Sequence, residues 1–525
     1  MKLKQKLAFA FFTLIFFLSA GSIFCADVYS RPDFFPEDQR NLVILDYPHE
    51  YDLNPLTASY SSEAQILTGL YEGLFSYNPN TLEPEYAICS SYKISRDKKR
   101  WTFTLREDAK FSDGEAITAY SIRDSWLRLL STEDAPFASL LDCIQGAEEF
   151  RTGQGEAEQV RITARDNTTL VVHLREPAEH LPSILCHHSF CATSSKPNVY
   201  SGPFMLKFFR NGVLKMVRNP YYHDATSVVI PGITIVQTDD AEENTHLYNI
   251  GVVDWLLADV DANKILNSES VHVNADFGTT YIFFKNRGGI WDNSELRAAL
   301  LEAIPYDKLR GMFSIQASTL VYPLSGYPTV AGLKDYDEED AKLMMQDARK
   351  KAGIPQDKTL DIVFGIYESP VMRFWAQTLK EAWKPLGVNL ITQTVSIEDY
   401  NPSIPYWNAD LFTYSWIGDY ADPLAFLELF RGKSTLNVAN YSNPDYDSLL
   451  SEAAQTTVYS DRYRLLSKAE QLLLDDSMVI PISHSVSLNV INLYNIGGWQ
   501  SNPLDIHPYR YLYIRRNRKR IPNSI

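Results

Sequence analysis

Positive charge is in short supply in this chain: 49 Lys and Arg stand against 65 Asp and Glu, a net charge of −16. That balance argues against a nucleic-acid partner, because neutralising phosphates takes a basic face. The run Arg515, Arg516, Arg518, Lys519 and Arg520 departs from it and reads as a solvated tail. Cysteine is scarce too, five residues in 525, so the fold cannot depend on disulfides. Histidine numbers only ten. There is no G-x-S-x-G elbow, H-E-x-x-H pair, Walker A loop or C-x-x-C, and Gly153-Gln154-Gly155 lacks the third glycine of a dinucleotide loop. These absences point away from an enzyme and from a bound cofactor. Beyond the N-terminus no apolar run reaches the ~20 residues of a membrane span.

What is present begins with Lys2, Lys4 and Lys6, an apolar run from Leu7 to Leu18, and the small residues Ser19 to Ser22. Charged, apolar, small is the order of an export signal, expected over 1–25. Cys25 is a candidate lipid-attachment site, but Phe24 precedes it where a small residue is expected, and Ala20 to Ser22 offers an ordinary cleavage site. The chain is therefore expected in the periplasm or cell envelope, with free secretion favoured over an anchor at Cys25. In an oxidising compartment Cys186 and Cys191 could pair across a small loop. The stretch Cys186-His187-His188-Ser189-Phe190-Cys191 also holds metal-ligand types, but not the two separated pairs of a structural zinc site. No metal is expected.

The body of the chain has mixed α/β punctuation. Trp101, Phe103 and Leu105 alternate with Thr102 and Thr104 as in a half-buried strand. Asp113-Gly114 makes a turn, and Thr118 is an N-cap for a helix turning Ile122, Trp126, Leu129 and Leu130 inward. Asp292 or Asn293 caps a helix with Leu296, Ala299, Leu300 and Ala303 on one face. The stretch 338–352 reads as a helix, with acids first and Arg349, Lys350 and Lys351 last to suit its dipole. Gly353 and Pro355 stop it, and Leu360 to Phe364 follows as a strand. A helix over 461–474 precedes a strand over 478–482. The acidic cluster from Asp335 to Asp340 reads as a helix start rather than calcium ligands, since it lacks the EF-hand glycine and terminal Glu. The aromatic share of 13% fills a core and leaves rings to spare for a cleft.

An ordered set of blocks resembles the extracellular solute-binding proteins of the oligopeptide and dipeptide type. It runs Leu70-Tyr71-Glu72-Gly73-Leu74-Phe75, then Trp101 through Gly114, then Ser201-Gly202-Pro203-Phe204 and Arg218-Asn219-Pro220-Tyr221-Tyr222. Arg297, Ala303-Ile304 and Asp307, then Asn443 to Asp447 and Ala469 to Leu473, complete it. The resemblance implies an α/β fold of two hinged lobes with an additional α/β subdomain. Lobe I would comprise 26–71, 196–283 and 486–525, the inserted subdomain 72–195, and lobe II 284–485. It also implies capture of peptides with a free amino terminus, by a monomer serving an inner-membrane ABC permease and its ATPase. A nickel complex, haem or oligosaccharide is the alternative ligand, and a secreted peptidase the more distant alternative.

By the same resemblance Asp419, within Ser415 to Tyr420, pairs with the peptide's ammonium group, a charge too costly to bury alone. The bland reading, that Asp419 caps a helix near Pro423, suits Asp422 better. Backbone at Ser59, Tyr60, Ser61 and Ser62 and at Ser415, Trp416 and Ile417 would pair with the peptide as an added strand. Trp416 would wall a pocket, with Phe137, Tyr281 and Tyr400 as weaker candidates. The family's basic carboxylate readers have no evident counterpart: Thr413 and Met372 stand where such residues occur, although Arg373 is adjacent.

Overall fold

The computed structural model describes residues 40–418 and 420–515. The expected leader, Cys25, Asp419 and the basic run beyond Arg515 lie outside the described residues. The main strands are β1 (Leu42–Asp46), β2 (Cys89–Ile94), β3 (Arg100–Leu105), β4 (Ile162–Ala164) and β5 (Thr169–His173). Next come β6 (Phe204–Arg210), β7 (Val213–Arg218), β8 (Gly232–Gln237), β9 (Trp255–Leu256) and the long β10 (Val271–Phe284). The last are β11 (Leu360–Tyr367), β12 (Val388–Val395), β13 (Leu411–Ile417) and β14 (Val479–Ile491).

Ten of these strands form one sheet in the order β12-β11-β13-β10-β14-β9-β1-β8-β7-β6. Its centre is the antiparallel pair β10 and β14, which joins the two halves. The ends of β14 are buried, whereas Ser485 to Leu488 in its middle are half-buried or exposed. Strand register breaks there: Ala275 faces Val486 but Thr279 faces His484, so three residues of β10 oppose Ser485 alone. A second shift sets Tyr281 opposite Pro481, a bulge being where a sheet accepts a proline. The expected strand over 478–482 is therefore the first third of a longer one. Its polar middle reads as loop only because it crosses between two cores rather than lying within one.

A four-stranded antiparallel sheet, β2-β3-β5-β4, forms a separate layer. Trp101, Phe103 and Leu105 of β3 point to its inner face, against Ile122, Trp126 and Leu129 of α1 (Ala119–Ser131), as the alternation predicts. Thr118 caps α1: its hydroxyl accepts the Ser121 amide at 3.3 Å, and the Ser121 hydroxyl accepts the Thr118 amide at 3.1 Å. In the second half of the main sheet Asn293, not Asp292, caps α2 (Ser294–Glu302), accepting the Leu296 amide at 3.0 Å. Asp337 caps α3 (Glu338–Lys351), so the acidic cluster is a helix start, and among the described residues no group is arranged to hold a metal ion. Arg349 departs from the expected pattern. Instead of a solvated last-turn base it is buried, donating to the carbonyls of Pro355, Lys358, Leu386 and Gly387. Cys186 and Cys191 are both free and buried, so the pairing considered above is not made; the Cys186 thiol donates to the Pro182 carbonyl at 3.3 Å instead. Among the described residues no helix is long and apolar enough to cross a membrane.

One buried ionic cluster ties distant segments together. The Glu72 carboxylate accepts from Tyr222 Oη at 2.5 Å, His223 Nε2 at 2.6 Å and Arg510 Nη1 at 3.0 Å. Burial pushes this carboxyl up, but the His223 hydrogen bond and the His223 and Arg510 charges hold it below the usual range. Its backbone is fixed as well: the Glu72 amide donates to Ser201 Oγ, and the Ala192 amide donates to the Glu72 carbonyl. Glu72→Ala is expected to cost about 3–5 kcal/mol in urea unfolding, because it leaves Arg510 buried without its counter-ion. Tyr222→Phe should cost about 1 kcal/mol. Since the folded pKa is depressed, this stabilisation is present above the unfolded value and is lost as pH falls through the folded one.

Candidate ligand-binding site

A cavity of about 600 Å³ lies where β13, the start of α4 (Ser61–Leu70) and the four-stranded layer approach one another. Strand β13 supplies one wall. On its β10 side it is fully paired, from Leu411 opposite Phe284 to Ile417 opposite Gly278. On its other side pairing with β11 ends at Leu411, opposite Phe364. The Thr413 amide, pointing away from β10, donates to Tyr400 Oη at 2.8 Å, and that hydroxyl donates to the Gly365 carbonyl at 3.1 Å. The Gly418 amide points the opposite way, to Phe277 O at 2.8 Å. Antiparallel alternation then directs the amides and carbonyls of Ser415 and Ile417 to the open side. An unpaired strand edge faces the cavity.

The opposite wall begins at Ser59 and Tyr60. Glu63 takes both of their amides at 3.2 Å and the Asp52 amide at 2.7 Å. Ser61 and Ser62 form the first turn of α4, so they are helical rather than extended, and Ser62 Oγ contacts His49 Nε2 instead of the cavity. Asn401 Nδ2 donates to Tyr60 Oη at 3.2 Å, joining the two halves of the sheet across the cleft. From the four-stranded layer, Phe137 packs against His187 with ring centroids 4.2 Å apart and planes tilted by 53°, and sits 6.2 Å from Trp416. Trp416 is held by its indole N–H on the Ala425 carbonyl at 3.0 Å and by the parallel ring of Tyr414. The far end is apolar, with Phe313, Val371, Met372 and Trp375. Leu504 and Ile506 contribute from the C-terminal segment.

The described lining contains no Lys, Arg, Asp or Glu. His187 and His188 are kept neutral by burial, the latter pushed down to about 4. Thr413 and Met372 line the cavity without a charge, and Arg373 lies outside the lining, paired with Glu368. Asp422 accepts the Leu424 amide at 3.0 Å, at the start of the short helix after Pro423, and pairs with Arg462.

The structure thus brings together Ser59, Tyr60, Ser61, Phe137, Tyr400, Ser415, Trp416 and Ile417. It leaves out Ser62 and Tyr281. Tyr281 is core: Thr280 beside it faces the cavity, so strand alternation turns Tyr281 to the other side, against Phe283, Tyr414 and Phe430. The far apolar end was missed. Its signal is the apolar face of α5 (Pro370–Trp383), where Met372, Trp375, Ala376 and Leu379 recur at helical spacing.

Residues 83–437 match the family described as bacterial extracellular solute-binding proteins, family 5. The chain belongs to that family. It is 25% identical over 465 residues to the oligopeptide-binding protein OppA of Bacillus subtilis, covering 82% of this chain and 85% of that one. The Escherichia coli murein tripeptide binding protein MppA superposes with a TM-score of 0.80 at 24% identity, over 91% of this chain and 99% of that one. Haemophilus influenzae OppA in complex with RPPGFSPFR gives 0.79 at 22% identity, over the same shares. These likenesses extend over both halves of the main sheet and the four-stranded layer, so the two-lobed α/β architecture with an extra subdomain is that of the family.

A buried acid sits at the strand crossing beside this cavity. Asp276, in the register break of β10, accepts Ser487 Oγ at 2.8 Å and Asn274 Nδ2 at 3.3 Å. Burial, with nearby Asp505, pushes its carboxyl up to about 7. Burial likewise pushes Glu470 up to about 7. For acids raised above their unfolded value, the stability is fully present below the unfolded pKa and is lost as pH rises through the folded one. The melting temperature should therefore fall between about pH 4 and pH 7. Asp276→Asn should flatten part of that slope and Glu470→Gln another part, as calorimetry at several pH values would read.

Proposed function

We propose that this chain captures peptides between its two lobes for an ABC-type importer, and that it binds them without chemical change. The observation carrying this reading is the open edge of β13 at Ser415 and Ile417, facing a cavity whose described lining carries no Lys, Arg, Asp or Glu. An extended peptide satisfies such an edge with its own backbone, which gives affinity independent of side chains. The volume beyond, walled by Trp416, Phe137 and the apolar end, then accepts varied side chains, with water filling what they leave. The relatives' names, an oligopeptide-binding and a murein tripeptide-binding protein, support the same ligand class.

Asp419 anchors the peptide ammonium in this proposal, directly after the open edge. The opposite terminus meets no cation in the described lining, so the carboxylate goes unread by charge. The lobes pivot at the register break of β10 near 275–279 and at 484–487 of β14. This moves the start of lobe II a few residues ahead of 284. Ligand touching both lobes favours the closed state through its differential affinity. A membrane permease reads that state and its ATPase supplies the energy. The chain works as an exported monomer, freely secreted rather than held at Cys25.

Thermal shift against a peptide library tests the ligand class. Peptide at 100 times its Kd should stabilise the fold by about 2.7 kcal/mol; no shift from any peptide would refute the reading. Native mass spectrometry of freshly purified protein would show a metal complex, haem or sugar in its place. Asp419→Ala should cost free-amine peptides about 2 kcal/mol or more, and N-acetylated ones far less. C-terminal amidation should leave affinity unchanged; a large gain or loss would reveal a carboxylate reader.

A further inference from the structure

The outer face of the four-stranded sheet carries positive charge that the ligand cavity does not use. Strand register places its members. Arg100 of β3 lies opposite His173 of β5, and the His173 amide donates to the carbonyl of Arg161 at the start of β4. The next row sets Lys93 of β2 opposite Thr102. Beyond it the Arg165 amide donates to the Thr169 carbonyl. All of these sit on the face opposite Trp101, Phe103, Leu170 and Val172, which are buried. Arg96 adds a charge from the β2–β3 turn, and it shares a shallow concavity of about 480 Å³ with Ser95, Asp97, Arg100 and His173.

Lys93, Arg96, Arg100, Arg161 and Arg165 are exposed, and none forms an ion pair with a described residue. The lysines of the same turn behave differently, Lys98 pairing with Glu179 and Lys99 with Glu176. The acids nearest the arginines are committed to their own turns. Asp97 accepts Ser95 Oγ and the Lys99 amide, and Asp166 accepts the Thr168 amide. Burial lowers the His173 pKa, and the charges of Arg161, Arg100 and Arg165 lower it further, which places three guanidiniums around one imidazole. In a chain of net charge −16, five unpaired cations on one sheet face need a counter-charge from outside.

We propose that this sheet face docks on anionic phospholipid headgroups. The cations are spread over strands about 4.8 Å apart, a flat array rather than a pocket. Guanidiniums match phosphate oxygens through paired N–H donors. The rest of the face is Ser and Thr around one buried valine, Val171, without the aromatic anchors that carry protein–protein interfaces. The chain as a whole carries a net charge of −16, which the same membrane repels, so docking through this face also orients the chain, with the four-stranded layer toward the bilayer.

Co-sedimentation of the full chain with vesicles tests this, comparing phosphatidylglycerol with phosphatidylcholine at low salt. The chain should bind the anionic vesicles more tightly, and the excess should disappear at high salt, where charges are screened. Arg100→Glu/Arg161→Glu/Arg165→Glu should weaken anionic binding about 100-fold or more while leaving neutral-vesicle binding and melting temperature unchanged. Lys207→Glu/Arg210→Glu, on β6 of the main sheet, should leave anionic binding intact. Equal binding of wild type to both vesicles, or equal binding of wild type and triple variant to the anionic ones, overturns the proposal. So does a triple variant that binds vesicles normally but no longer engages an acidic protein partner.

Discussion

Glu72 is the fixed point on which the arrangement of this chain depends. Two segments that are remote from it in sequence reach its carboxylate: the Tyr222-His223 pair and Arg510. Neither the Glu72 carboxylate nor the Arg510 guanidinium could be buried alone, since desolvation would drive it out or neutralise it. Together they hold the four-stranded layer against the first half of the main sheet. The walls that this layer supplies, Phe137, His187 and His188, are thereby positioned by an ionic cluster on the far side of the residues they accompany. The network is polar and directional, so it fixes one orientation where apolar packing alone would admit several.

The main sheet solves a different problem, which is to be two bodies and one sheet at once. Strand β14 is buried at both ends and half-buried or exposed in between, and opposite that stretch β10 accepts a register break and a buried acid. Such a stretch has fewer apolar contacts to lose than the cores on either side. Motion is therefore cheapest there, and the cavity lies beside it. The hydrogen bond between Asn401 and Tyr60 is the kind of contact that opening would break.

Local signals were legible where one interaction decides the outcome. The cap at Thr118, the cap at Asn293 and the alternation of β3 each depend on neighbours within a few residues, and each forms as expected. Ordered motifs carried the family and with it the architecture. What could not be read was set by distant partners. Arg349 looks like any last-turn base until four carbonyls from later segments close around it. Tyr281 and Thr280 are equally plausible wall residues until the register decides which faces in. Ser61 and Ser62 are helical because Glu63 gathers the amides before them. The basic face joins residues from β2, β3, β4 and the turn between, and no window of sequence contains it.

The open edge of β13 carries a cost as well as a use. An unsatisfied strand edge is a template for any extended chain, and most sheets blunt theirs with charge, proline or a bulge to avoid aggregation. This one has none of those devices along Ser415 and Ile417, and only the Tyr400 hydroxyl occupies its first amide. Its protection is position. The edge lies inside a cavity of about 600 Å³ rather than on an outer rim of the sheet, so a chain must enter that space to pair with it. A short, loose peptide is slender enough to reach it, so the recess that admits such a guest also restricts which chains can use the edge.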